Sequence, residues 1–183
     1  AIIDYINSGR NILWLNSAVT SEQNFPNVNK ILALYGVKPF EIGIIRETDS
    51  SKMLQGSPDI IKPDASYSTI TKDIAKDSGV RFINATKINL VSEEELEYLK
   101  VNKTELLNAS EKSYFRNNFK IQTDEMSSAD VAGKFLVGAE LEKTITEANE
   151  ENGTKAVKSK MVIYGENNFT TDYPVSNYSQ VTV

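Results

Sequence analysis

Three short stretches of this 183-residue chain carry side chains that could do chemistry. The first is "NASEKSY", where Ser110, Ser113 and Tyr114 surround Lys112. These are the residue types of a hydroxyl–lysine dyad, in which a desolvated lysine serves as base. The spacing is not Ser-x-x-Lys, however, and a solvated Lys112 stays protonated, so the stretch also reads as a turn with locally bonded hydroxyls. The second is "SEEEL", beginning at Ser92, whose glutamates could form the acid pair of glycoside hydrolysis. Adjacent glutamates fit better as a solvated face whose charge favours a helix N-terminus. The third is "YGENNF", where an apolar strand runs through Gly165 into Glu166 and Asn168. Together with Asn16 and Ser17, at the end of another apolar run, these acceptors would line a strand-end cleft that recognises a ligand or partner. The alternative puts Gly165 in a tight turn, an asparagine on its own backbone, and Phe169 in the edge of the core. Arg46 reads as a surface ion pair, or as the partner of an anion.

Composition removes much of the remaining chemistry. There is no histidine and no cysteine. Without imidazole or thiol there is no Ser-His-Asp or Cys-His nucleophile, and the usual zinc and iron–sulfur ligand sets are missing. No G-x-x-x-x-G-K-[ST], G-x-G-x-x-G or calcium-loop motif occurs, so no nucleotide, metal or other cofactor is expected. The net charge of -5 and pI near 4.9 argue against a nucleic-acid surface, which needs clustered Lys and Arg. No apolar run reaches the roughly 18 to 20 residues of a membrane span. The chain opens inside an amphipathic helical pattern without an initiator Met, as an excised piece of a longer protein would. Sequons at Asn84, Asn102, Asn108, Asn152, Asn168 and Asn177 are what a chain rich in Asn, Ser and Thr produces by chance.

The elements that must position these residues follow from apolar periodicity. Ile2 to Ile6 form a short helical face stopped by Gly9, and "NILWL" is a strand covered on both faces. "FPNVNKILALYGV" is a helix that buries Ile31 and Leu32 and stops at Gly36, and a strand through Ile42 to Ile45 follows. Strand, helix and strand in that order predict a right-handed parallel crossover. Further on, "PDIIKPD" is extended, "STITKDIAKDSG" is a short helix, and "VRFINATKINLV" gives one bent strand or two short ones. Residues 92–103 support helix and strand equally, with Ser92 and Glu95 matching a capping box. The stretch from Ser110 to Asp130 reads as loop. "GKFLVGAELEKTI" is a strand in which Gly133 and Gly138 mark bulges or close packing. Thr146 to Lys160 reads as a charged, mobile hairpin tip leading into a last strand, Val162 to Tyr164. One domain, 1–183, is expected.

Taken in order, these pieces resemble the extracytoplasmic auxiliary domain of gliding-motility-type ABC transport systems. "NILWLN" followed by "FPNVNKILALYGV" is similar to that family's first strand and its "lpnlnelLa.yGi" helix. "LLNASEKSYF" resembles its "Ll.TS..Sw/y" segment, and "VIYGENNFTTD" its "vv.GdsdF..n" close. The resemblance implies an α/β fold, flavodoxin-like or glutamine-amidotransferase-like, a three-layer sandwich with a mainly parallel central sheet. It also implies a bacterial, membrane-anchored, non-enzymatic domain outside the cytoplasmic membrane, with an ABC permease and ATPase as partners and anchoring segments outside this chain. It gives Ser110, Ser113 and Tyr114 a packing or recognition role. Two positions depart from the family pattern: Asn16-Ser17 stands where Asp-Pro is common, and Glu166-Asn167-Asn168 replaces "dsd". The other classes considered are a carboxylate-based hydrolase at the strand-end cleft and a small-ligand sensor.

Overall fold

The computed structural model describes residues 1–22, 25–74, 80–146 and 153–167. In chain order its elements are α1 (Ile2–Asn7), β1 (Ile12–Leu15), α2 (Pro26–Ala33) and β2 (Ile44–Arg46). Then come the short strands β3 (Met53–Leu54), β4 (Ser57–Ile61), β5 (Asp64–Ala65) and β6 (Phe82–Ile83), and α3 (Glu93–Tyr98). The last part is β7 (Val101–Asn108), β8 (Tyr114–Arg116), β9 (Val131–Ala132), β10 (Leu136–Thr146) and β11 (Val157–Tyr164).

The longest strands show how the chain writes a half-buried sheet. In β11, Ser159, Met161 and Ile163 point into the interior, while Lys158 and Lys160 alternate with them on the other face. Those lysines pair across the ladder: Lys158 reaches Glu142 at 2.7 Å and Lys160 reaches Glu140 at 2.8 Å. A charged stretch that reads as hairpin tip is therefore strand from Val157 onward. The antiparallel pairing of β10 with β11 makes the hairpin, and the tip expected around 147–152 lies outside the described residues.

The described residues form three sheets. The five-stranded one has the order β1-β11-β10-β7-β5, and the two smaller ones are β2-β8-β9 and β3-β4-β6. Only the β1–β11 ladder is parallel among the named strands, and every other one is antiparallel. The fold is β-rich with mixed and antiparallel sheets, which overturns the expected α/β sandwich, flavodoxin-like or glutamine-amidotransferase-like, with its mainly parallel central sheet. The physical reason is that a short apolar run specifies a strand but not its neighbour, the direction of pairing or its cover: β1, expected to be covered on both faces, leaves Leu13 exposed. The expected β1–α2–β2 crossover fails for that reason. β2 joins the second sheet antiparallel to β8, and β1 finds its parallel partner about 150 residues later in β11.

The α2 helix covers the large sheet instead of linking neighbouring strands. Ile31 and Leu32 pack with Leu141, Met161 and Ile163, joined by Ile6 of α1 and Leu96 of α3. A second cluster holds Ile45, Ile61, Phe82, Leu106, Phe115 and Tyr164. β10 passes from one to the other at Gly138, where its register with β7 shifts: Ala139 belongs to the first cluster and Val137 to the second. A Cβ at Gly138 would come within 2.9 Å of the Tyr164 ring, so this glycine is both bulge and close approach.

The local signals are formed as the sequence writes them. Gly9 and Gly36 follow their helices in the left-handed conformation, at φ 78° and 74°. The capping box at Ser92 and Glu95 opens α3, and Lys100, at φ 56°, turns the chain into β7, so residues 92–103 are helix and then strand. Between Ser68 and Ile74 the expected helix is instead hydrogen-bonded turn, and residues 75–79 lie outside the described set. Among the described residues the "VRFINATKINLV" stretch forms β6 and a bridge from Leu90 to Val37. The expected loop from Ser110 to Asp130 contains β8.

Candidate functional site

Because β1 and β11 run parallel, their carboxyl ends lie side by side, and Asn16 N–H donates to the Tyr164 carbonyl at 3.0 Å. Beyond those ends opens a cleft of about 410 Å3 whose wall includes Ser17, Thr20, Ile44, Phe119, Glu166 and Asn167. Of the residues expected there, the structure brings Ser17 and Glu166 together. Asn16 turns its amide onto the Ser17 carbonyl at 2.7 Å and is not in the wall, and Asn168 and Phe169 lie outside the described residues. Glu166 is buried, at 2% exposure, so it is not the exposed turn residue that its polar neighbours suggest. Gly165 is not in the wall either. Its N–H donates to the Val137 carbonyl and its carbonyl accepts from Thr86, so the glycine serves backbone packing.

The second candidate, around Ser110 to Tyr114, is a knot of structural bonds. Ser110 accepts from the Lys112 N–H at 3.0 Å, closing a turn. Ser113 is buried and donates to the buried Glu47 carboxylate at 3.0 Å, which also accepts the Thr48 and Asp49 N–H groups at 2.9 Å each. Lys112 is exposed and reaches Asp49 at 3.0 Å. Hydrogen bonds from Ser51, with the Lys112 ammonium, hold the Asp49 carboxyl down at about 2. Hydroxyl and ammonium are thus committed to different carboxylates, and the pair lacks the contact a dyad requires. Ser113→Ala removes one of three donors from a buried carboxylate; we expect a loss of about 1.5 kcal/mol in chemical denaturation. An unchanged midpoint would mean that Glu47 is held by the backbone alone.

Two of the glutamates of "SEEEL", Glu93 and Glu95, are likewise engaged. Backbone and hydroxyl bonds from Ser92 lower the Glu95 pKa, whereas a general acid needs it raised, and Glu93 pairs with Lys103 at 2.6 Å. Among the described residues no group of three or more carboxylates converges as a cation site.

Two arginines are buried, and for Arg46 this corrects the expected surface ion pair. Arg46 is buried, contacting Asp59 and Asp124 at 2.6 Å each and the Thr123 carbonyl at 3.0 Å. Arg116, not singled out by sequence, is more deeply buried. It pairs with Asp130 at 2.8 Å and donates to the carbonyls of Thr123 and Glu125. Tyr114 donates to the Asp124 carbonyl at 2.6 Å and lies beneath the Arg116 guanidinium. The three side chains staple residues 117–130 onto the second sheet, and Phe119 of that segment forms part of the cleft wall. Only the alternation of "SYFR" with the acids at Asp124 and Asp130 could have hinted at this.

The chain matches no family model and no curated protein. A solved structure described as "mmIFT52 N-terminal domain" is similar, with TM-score 0.50 and 14% identity over 96% of this chain. The chain spans 62% of that structure's length. At this identity the likeness concerns the fold alone. No helix among the described residues is long and apolar enough to cross a membrane.

Proposed function

We propose that this chain is a non-catalytic binding or scaffolding domain whose recognition element is the cleft at the ends of β1 and β11. The observation that carries this reading is the commitment of Ser110, Ser113, Lys112, Glu93 and Glu95 in the other two stretches to structural partners, while the cleft offers open space beside mixed polar and apolar walls. The sequence resemblance supplies the setting: an ABC-type transport or motility assembly on the outer face of a bacterial membrane, with the permease and ATPase as partners. A small-ligand sensor is the second reading, favoured by a cleft volume within the range of small-molecule pockets. The hydrolase reading has less support, because Glu166 is the one carboxylate in the described wall and glycoside hydrolysis needs two.

The test uses the full-length parent protein in mild detergent. Wild type should retain its permease and ATPase on purification. Ser17→Arg, a substitution at an exposed wall position, should cut retention at least about tenfold without moving the melting temperature. Loss of the complex to no degree in Ser17→Arg, or turnover of an ester, glycoside or phosphoester that Glu166→Gln abolishes, would overturn the proposal.

A further inference from the structure

A second hollow, of about 590 Å3, opens where the end of β4 and the edge strand β5 meet the turn from Ser66 to Asp73. In an acidic chain its wall is basic. Lys52, Lys62 and Lys72 face it, and among the described lining residues the single carboxylate is Asp64, already ion-paired to Lys52. Neither Lys62 nor Lys72 has a carboxylate partner among the described residues. The lysines come from three separate segments, so no run of charge in the sequence announces them.

The frame around them is fixed. Lys62 N–H donates to the Lys52 carbonyl at 2.8 Å, tying two of the segments together. Ser66 N–H donates to Leu106 at 2.9 Å, anchoring the turn on β7, and the Thr71 hydroxyl donates to the Ser66 carbonyl. At the wall, Tyr67 is 88% exposed and presents an aromatic face. Ammonium groups around a concave surface concentrate positive potential there, and lysine binds phosphate and carboxylate as a point charge.

We propose that this hollow binds a small anionic ligand, a sugar ring carrying a phosphate or a carboxylate, with the anion between Lys62 and Lys72 and the ring against Tyr67. The site is separate from the strand-end cleft and does not depend on the function proposed for it. The experiment is calorimetric titration of the whole protein at low salt with glucose 6-phosphate, glucuronate and uncharged glucose. At least one of the anions should bind saturably, and glucose should not. Binding of the phosphate ester alone, or of the carboxylate alone, identifies the anion. Lys62→Gln with Lys72→Gln should weaken binding at least about tenfold, since each charge-assisted contact is of that order. Tyr67→Ala should weaken it several-fold, and both variants should melt with the wild type. Absence of saturable binding by either anion, or undiminished affinity in the double glutamine variant, would overturn the proposal.

Discussion

Arg116→Met should destabilise the fold by about 3 to 5 kcal/mol, the usual cost of breaking a buried ion pair from one side. The guanidinium is 2% exposed and the Asp130 side chain is fully buried, so removing the cation leaves a carboxylate with only its Ser127 donors. It also strips the Thr123 and Glu125 carbonyls of a donor. Adding Asp130→Asn should therefore recover part of the loss and not all of it. Urea denaturation of the three proteins measures this directly, and a single-variant loss under about 0.5 kcal/mol would show that the staple is solvated and dispensable.

The same pair fixes a pH dependence. The Arg116 hydrogen bond is the main cause that lowers the Asp130 pKa below the ordinary carboxyl value. A depressed folded pKa means that the folded state binds the proton less readily than the unfolded state. Its stabilisation is complete above the unfolded value of about 3.9 and is lost as pH falls through the lower folded value. The gap between wild type and Arg116→Met should therefore narrow as pH falls from about 4 towards 3. A gap that stays constant over that range would argue that the loss comes from the two carbonyls and not from the carboxylate.

Gly165→Ala should be nearly as damaging, by about 3 kcal/mol, through steric conflict with backbone. A Cβ there would lie 2.0 Å from the Thr86 carbonyl oxygen, far inside contact distance. Neither side can retreat cheaply. Gly165 is held by its N–H to Val137 at 2.9 Å and by its carbonyl to Thr86 N–H at 2.8 Å, so movement lengthens one of these bonds. Gly56→Ala is the comparison: it has φ 72° and no atom within 4 Å, so only the left-handed backbone is strained, at about 1 kcal/mol. Thermal melts of both variants separate the two causes. Equal losses would mean that the chain relaxes around the new methyl and that the close approach to Thr86 is not rigid.

The candidate cleft was partly legible. Gly165 and the two apolar runs marked the strand ends, and parallel pairing of β1 with β11 brought Ser17 and Glu166 into one wall. Burial of Glu166 was not legible, because a polar turn looks exposed until distant segments, those of Ile44, Asn84 and Phe119 among them, come together with it in the cleft wall. The hollow of Lys52, Lys62 and Lys72 was invisible for the same reason, since convergence of distant segments leaves no spacing to read.

What the sequence determined by itself is what depends on a few neighbouring residues. Gly9 and Gly36 stop their helices because only glycine takes that conformation without strain, and Ser92 with Glu95 satisfies the first free N–H groups of α3 inside one turn. The 3.6-residue period of α2 likewise places Ile31 and Leu32 inside without reference to the rest of the chain. Tertiary structure alone decided which strands pair, in which direction, and which charges are buried. "ILWL" satisfies its backbone equally in a parallel or an antiparallel ladder, so its partner was settled by the long β10–β11 hairpin that offers a free edge. Arg46 and Arg116 are buried because residues 117–130 fold back with carbonyls and carboxylates at hydrogen-bonding distance, and without that segment the cost of desolvation would keep both guanidinium groups in water.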